Sequence, residues 1–105
     1  MADVFISHAQ EDSDIAAMVA KGLESAGYTT WLYERDTVPG PTYLIQVDWA
    51  IEQAQAVALV ISPDSLDSRQ ATNEVIRAYE AGKPFLPILQ RWRRIAPAWA
   101  LRPCV

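Results

Sequence analysis

Cysteine and histidine each occur once in this chain of 105 residues, as Cys104 and His8, and glycine occurs four times. One thiol excludes a disulfide framework and a cysteine metal site, and one imidazole excludes a His-rich metal site; no metal is expected. The turn after the first apolar stretch, Ser7-His8-Ala9-Gln10-Glu11, has none of the glycines of a dinucleotide fingerprint, and no Gly-rich phosphate loop ending in Lys-Ser or Lys-Thr occurs. No apolar run is long enough to cross a bilayer, and Met1-Ala2-Asp3 places no basic residue before the first apolar one. Neither a transmembrane helix nor a signal peptide is therefore expected, the cytoplasm is the expected location, and a membrane is not an expected partner. Positive charge is scarce in the body: residues 1–89 hold Lys21, Arg35, Arg69, Arg77 and Lys83 against all thirteen acidic residues. Such a surface is poorly suited to phosphate contacts, which argues against nucleic acid as a partner.

What is present reads as one domain. A chain of this length buries roughly two-thirds of its unfolded surface, enough for a single core. The reading assigns residues 1–89 to the domain core. Residues 90–105 form either a short basic tail, through Arg91, Arg93, Arg94 and Arg102, or the incomplete last part of the domain. Trp92, Ile95, Trp99 and Leu101 there are apolar enough to pack, but Pro97 and Pro103 interrupt them.

The run Ala56-Val57-Ala58-Leu59-Val60-Ile61 is continuously apolar and rich in β-branched residues, the pattern of a strand covered on both faces. Ser62-Pro63-Asp64 stops it. Asp67 or Ser68 then caps a helix that runs to Ala81 and is closed by Gly82, with Asp67 and Gln70 spaced as in a capping box. Ahead of this unit, Asp3 to Ser7 reads as a strand. A helix follows with Ile15, Val19, Leu23 and Ala26 on one stripe and Gly27 as its stop. Tyr28 to Tyr33 reads as a second strand, and Glu34 to Tyr43, carrying Pro39-Gly40-Pro41, as a long irregular loop. A further helix places Leu44, Val47, Ile51 and Ala54 at helical spacing, and Lys83 to Leu89 reads as a fourth strand, with Pro87 suited to an edge.

Strands alternating with helices predict an α/β fold with a parallel sheet and helices on both faces, joined by right-handed crossovers. Ligands in such sheets sit beyond the carboxyl ends of the strands, where the strand order switches. That edge collects Ser7-His8, Tyr33-Glu34 with the long loop, and Ser62 through the helix carrying Glu74. A receiver-type phosphorylation site would need an aspartate where Ser62 stands. Ser7 and His8 are chain neighbours that strand alternation points apart, which argues against a catalytic Ser-His pair. On the helix, Ala71, Val75, Ala78 and Gly82 share a stripe while Asn73, Arg77 and Glu80 lie away from it. Glu74 falls between. Helix geometry alone favours a surface glutamate there, although a partly desolvated carboxylate with a raised pKa also fits the position.

Three stretches together resemble a known family, the TIR (Toll/interleukin-1 receptor) domain of the bacterial type. Asp3-Val4-Phe5-Ile6-Ser7-His8 resembles its first box, an apolar strand ending Phe-Ile-Ser before an aromatic ring. Glu34-Arg35-Asp36-Thr37-Val38-Pro39-Gly40 resembles the Arg-Asp-x-x-Pro-Gly of its BB loop, and Ser62-Pro63 with Ser65-Leu66-x-Ser68 resembles its third-strand exit. The resemblance runs over residues 3–89. It implies a flavodoxin-like three-layer sandwich with strand order 2-1-3-4-5.

The resemblance also implies one of two functions. Many relatives hydrolyse NAD+ at the nicotinamide-ribose bond, giving nicotinamide and ADP-ribose or a cyclic isomer, in bacterial immune signalling switched on by self-association. Others are scaffolds that only assemble, and a related nucleoside-cleaving enzyme of similar fold is a third reading. NAD+ would be a substrate, with no cofactor. Other TIR domains would be the partners, in a homo-oligomer or filament. In the enzymes a glutamate of the helix after the third strand is catalytic, and it aligns with Glu74. Gln70 stands where the family carries an aromatic residue, commonly Trp. The resemblance assigns Phe5, Ser7, His8, Tyr33, Arg35, Asp36 and Gln70 to substrate binding, and Asp36, Pro39, Gly40 and Pro41 to the BB loop and self-association. Structural roles stay open beside these: Phe5 as core, Tyr33 as a strand-end aromatic, His8 as a loop residue, Arg35 with Asp36 as a local ion pair.

Overall fold

The computed structural model describes residues 2–89; Met1 and residues 90–105, read from the sequence as a short basic tail or the incomplete last part of the domain, lie outside the described residues. Four parallel strands, β1 (Val4–Ser7), β2 (Thr30–Trp31), β3 (Ala56–Ile61) and β4 (Phe85–Leu89), form a sheet in the order β2-β1-β3-β4. Strand alternation divides their side chains between two layers. Val4, Ile6, Ala58 and Val60 face α1 (Ser13–Ser25), where Ala16 and Ala20 are buried among Ile15, Val19 and Leu23. Phe5, Trp31 and Val57 face α3 (Tyr43–Gln53) and α5 (Arg69–Glu80), which contribute Val47, Ala50, Ile51 and Ala78. Alanine at the contact positions of both layers lets the helices lie close to the sheet. The result is the flavodoxin-like three-layer arrangement.

Both long helices that end in glycine do so for the same reason. At the end of α5 the Gly82 N–H donates to the Tyr79 carbonyl and the Lys83 N–H to the Ala78 carbonyl, each at 3.0 Å. This pairing needs a left-handed residue, and Gly82 has φ 72°. Gly27 closes α1 in the same pattern. Pro87 is tolerated in β4 because Val57 N–H donates to the Pro84 carbonyl, so alternation turns the Pro87 nitrogen away from β3.

Three local expectations differ from the structure. The second strand is confined to Thr30–Trp31, because from Tyr33 the chain enters a helical turn, α2 (Tyr33–Asp36), where an irregular loop was expected. Arg35 explains the turn: its guanidinium reaches back to the Thr30 carbonyl at 2.7 Å, Glu24 at 2.7 Å and Asp36 at 2.7 Å. The segment after β3 is a short helix, α4 (Pro63–Asp67), and the capping box is Ser62 with Ser65 rather than Asp67 with Gln70. Ser68 caps α5 by accepting the Ala71 N–H at 3.1 Å. Among the described residues no helix is long and apolar enough to cross a membrane, and no group of three His, Cys, Asp or Glu is placed to hold a metal.

Ile51, 1% exposed, closes the layer between α3 and the sheet. Ile51→Ala is expected to lower stability by about 2–5 kcal/mol, while Gly82→Ala, which forces a Cβ into the left-handed region, costs about 1 kcal/mol. Urea unfolding checks both: the midpoints fall in that order with the slope unchanged.

Candidate active site at the carboxyl edge of the sheet

The strand order reverses direction between β1 and β3, and the crevice at their carboxyl ends is where this fold presents functional groups. Ser7 ends β1 there, Ser62 follows β3, and α5 rises beside both. α5 packs one side against α3, fastened by an ion pair between Arg77 and Asp48 at 2.7 Å and by Lys83 Nζ donating to the Glu52 carbonyl at 3.0 Å. That docking turns Glu74 inward.

Glu74 is only 4% exposed, so it is not the surface residue that helix geometry alone favoured. An ionised carboxylate so deeply buried needs donors, and it has them from three elements. The Ser7 hydroxyl donates to Oε1 at 2.9 Å and the Tyr43 hydroxyl to Oε2 at 2.6 Å. The Gln70 side chain, one turn earlier on α5, hydrogen-bonds to both Glu74 and Tyr43. Burial dominates the titration and pushes the Glu74 carboxyl above the usual range, while the Tyr43, Ser7 and Gln70 hydrogen bonds and the nearby His8 pull it back. The Tyr43 phenol is held well above its usual range, first by burial and then by the carboxylate it donates to, so it stays a donor.

The other sequence-selected residues divide into two groups. Ser7, Gln70 and Glu74 come together directly. His8, buried at the same edge, places Nε2 3.0 Å from both oxygens of Glu34, and its Nδ1 has no partner among the described residues. Tyr33 meets the Tyr43 ring edge-on, with centroids 5.0 Å apart, and so borders the site. Phe5 does not: it is 1% exposed and its ring stacks on Trp31 at 5.2 Å. Arg35 and Asp36 are engaged with each other and with the end of β2. Burial alone would raise the Asp36 carboxyl, but the Arg35 and Leu32 N–H hydrogen bonds outweigh it and hold it below the usual range. Pro39, Gly40 and Pro41 lie exposed in the loop ahead of α3. Gln46 grips that loop with three bonds of 2.8 Å, to the Val38 N–H, the Val38 carbonyl and the Pro41 carbonyl.

Sequence reasoning missed Tyr43, and it placed Glu34 at this edge without giving it a role. Tyr43 was read only as the end of a loop, yet Thr42, whose hydroxyl accepts the Ile45 N–H, marks it as the first residue of a helix at the functional edge. Glu34 was the one carboxylate next to the strand end opposite His8. A cavity of about 320 Å³ is lined by Trp31, Asp36, Val38, Pro41, Ile45, Gln46 and Trp49, and Glu74 is not among its lining residues.

Comparison with known proteins places this geometry. Residues 4–103 match the family profile described as TIR domain. A protein of Bacteroides thetaiotaomicron, named 2' cyclic ADP-D-ribose synthase BtTIR, is 30% identical over 95% of this chain and 36% of its own length. The stimulator of interferon genes protein of Magallana gigas is 38% identical over 72% of this chain and 19% of its own length. The chain thus spans about a third or less of the curated relatives it matches. Among solved structures, the TIR domain of the Toll-related receptor TRR-2 from Hydra magnipapillata superposes with a TM-score of 0.79 at 28% identity, over 87% of this chain and 72% of that one. The metazoan TIR-STING receptor from C. gigas superposes with a TM-score of 0.75 at 31% identity, over 88% of this chain and 32% of that one. With a family match across nearly its whole length and the sheet order and BB-loop residues in place, the chain belongs to the TIR-domain family.

Proposed function

We propose that this domain cleaves the nicotinamide-ribose bond of NAD+, with Glu74 as the catalytic carboxylate. The observation that carries the reading is the burial of Glu74 at the switch point, with a donor on each oxygen. Structural glutamates on amphipathic helices face solvent. A carboxylate kept desolvated beside the ligand edge is instead suited to developing positive charge, because fixed charges act more strongly in a water-poor site. The similarity to a relative named as a cyclic ADP-ribose synthase supports the same chemistry.

Nicotinamide leaves readily because its ring nitrogen is cationic in NAD+. As the bond breaks, charge develops on an oxocarbenium-like ribose, and Glu74 stabilises it while accepting hydrogen bonds from ribose hydroxyls. Leaving-group protonation is not required, which fits a buried carboxylate that has no second carboxyl group among its bonded partners. Ser7 and Gln70 orient the carboxylate. His8 and Tyr33 border the site, while Phe5, Arg35 and Asp36 support the wall behind it.

In the single chain the carboxylate is covered, so a ribose reaches it only after a local movement, which this reading assigns to the loop ahead of α3. Self-association through the BB loop provides the occasion. Val38, Leu44, Ile45 and Trp49 are all more than half exposed around that loop and offer apolar area to a neighbouring TIR domain. The same surface favours the second reading, a scaffold that assembles without chemistry. The two separate on one comparison.

NAD+ consumption by the purified chain at high concentration with a crowding agent is expected to fall about 100-fold or more in Glu74→Gln, with assembly retained. Loss of activity only together with loss of assembly, or no NAD+ loss in an assembled wild type, favours the scaffold. A second test uses stability. The folded carboxyl titrates above its ordinary value of 4.5, so its contribution is present below that value and is lost as pH rises through the raised one. The melting temperature of Glu74→Gln, measured against the wild type, should therefore improve as pH rises above 4.5 and level off once pH has passed the raised value. A difference independent of pH would show an ordinary carboxylate.

A further inference from the structure

We propose that Tyr43 is a positioning residue for Glu74: its hydroxyl fixes Oε2 while Ser7 fixes Oε1, holding the carboxylate in a single orientation. The inference rests on the catalytic reading of Glu74 and adds the residue through which that carboxylate is aimed. A carboxylate with a donor on only one oxygen swings about its last torsion, which is broad and roughly two-fold. With donors on both oxygens, from β1 at 2.9 Å and from α3 at 2.6 Å, any rotation breaks both bonds. The shorter contact has the length of a charge-assisted O–H···O⁻ bond.

The placement of Tyr43 makes this hold independent of the loop before it. Tyr43 is the first residue of α3, and that helix is anchored by buried Val47, Ala50 and Ile51. Arg77 with Asp48, and Lys83 with the Glu52 carbonyl, bind α3 to α5, so the helices carrying Tyr43 and Glu74 move together. The Tyr33 ring, edge-on at an interplanar angle of 78°, limits where the Tyr43 ring can go. The exposed loop through Gly40 is fastened to the same helix by the Gln46 side chain. Breaking those side-chain bonds lets the loop shift to admit substrate, while the buried residues of α3 keep Tyr43 on the carboxylate.

Tyr43→Phe removes one oxygen and keeps the ring against Tyr33. The ionised form of Glu74 then loses its shortest hydrogen bond, and its titration moves upward. The groups facing Glu74 are Ser7 and His8 from the end of β1, Tyr43 from α3, with Tyr33 behind it, and Gln70 from α5. His8 is the one among them that can carry positive charge, and its bond to Glu34 is untouched by the substitution.

The test follows the Glu74 side-chain carbon by NMR titration in the full chain, alongside the pH profile of NAD+ consumption. In Tyr43→Phe the midpoint is expected to rise by about one pH unit, the size of one lost hydrogen bond to a charged group. The acid limb of kcat should move up with it, and kcat should fall about 10-fold while KM changes little. Ser7→Ala, which leaves the shorter bond in place, should shift the midpoint less. An unmoved midpoint in Tyr43→Phe overturns the proposal, and so does a larger shift in Ser7→Ala. The titration reads the hold of Tyr43 on Glu74 whether or not NAD+ is consumed. A shifted midpoint without NAD+ loss in the assembled wild type therefore overturns the catalytic reading of Glu74 and not the pairing.

Discussion

A carboxylate that is nearly free of solvent contact has to be surrounded by donors, and this requirement at Glu74 organises the functional edge of the domain. Transfer of an unpaired charge to the interior is costly enough that the group would otherwise protonate. Ser7, Tyr43 and Gln70 come from the first strand, the third helix and the fifth helix, so all three elements must be in place before the charge is tolerable. The packing of α3 on α5 is in this sense part of what makes that charge tolerable. It is why Arg77, Asp48 and Lys83, none of which touches the site, bear on its geometry.

Around that centre the structure separates what is rigid from what is held only by side chains. Behind the site, Arg35 joins α1, β2 and α2 through Glu24, the Thr30 carbonyl and Asp36, and Phe5 stacks on Trp31 in the core. In front, the segment from Thr37 to Thr42 has no strand or long helix to hold it. Its main attachment is the amide of Gln46, which caps both a carbonyl and an N–H of Val38. A loop secured by one amide and flanked by exposed Val38, Ile45 and Trp49 is well placed to respond to a neighbouring domain. The residues expected from the family pattern to bind substrate accordingly fall into two kinds. Ser7, His8, Tyr33 and Gln70 stand at the edge itself, whereas Phe5, Arg35 and Asp36 fix the frame on which the edge is built.

The polar cluster at the exit of β3 is built on a similar requirement. Ser62 donates to the buried carboxylate of Asp12 while accepting the Ser65 N–H, so the ends of β3 and the start of α1 are tied together at the same edge as Glu74. Serine serves here where a longer side chain would obstruct the capping box.

Much of this was legible from the residues. Continuous apolar runs rich in β-branched residues and stripes of period 3.6 are local properties, so the four strands, the three long helices and the parallel sheet followed from them, and the glycine stops at Gly27 and Gly82 followed from backbone sterics. The boxes around Phe5-Ile6-Ser7, Arg35-Asp36 and Ser62-Pro63 pointed to the family because they are contiguous in the chain. What depended on tertiary structure was whatever required residues distant in sequence to meet. Helix geometry left Glu74 between two faces, and only the docking of α5 against α3 and β1 decided that it is buried. The same docking brought Tyr43 to it across thirty-one positions of sequence. The helical turn at Tyr33–Asp36 was likewise decided at a distance, by the reach of Arg35 to Glu24 on another helix. Sequence alone determined the fold and the candidate carboxylate; side-chain packing between separate elements determined the environment of that carboxylate, because burial and hydrogen bonding belong to the assembled surface and not to any one segment.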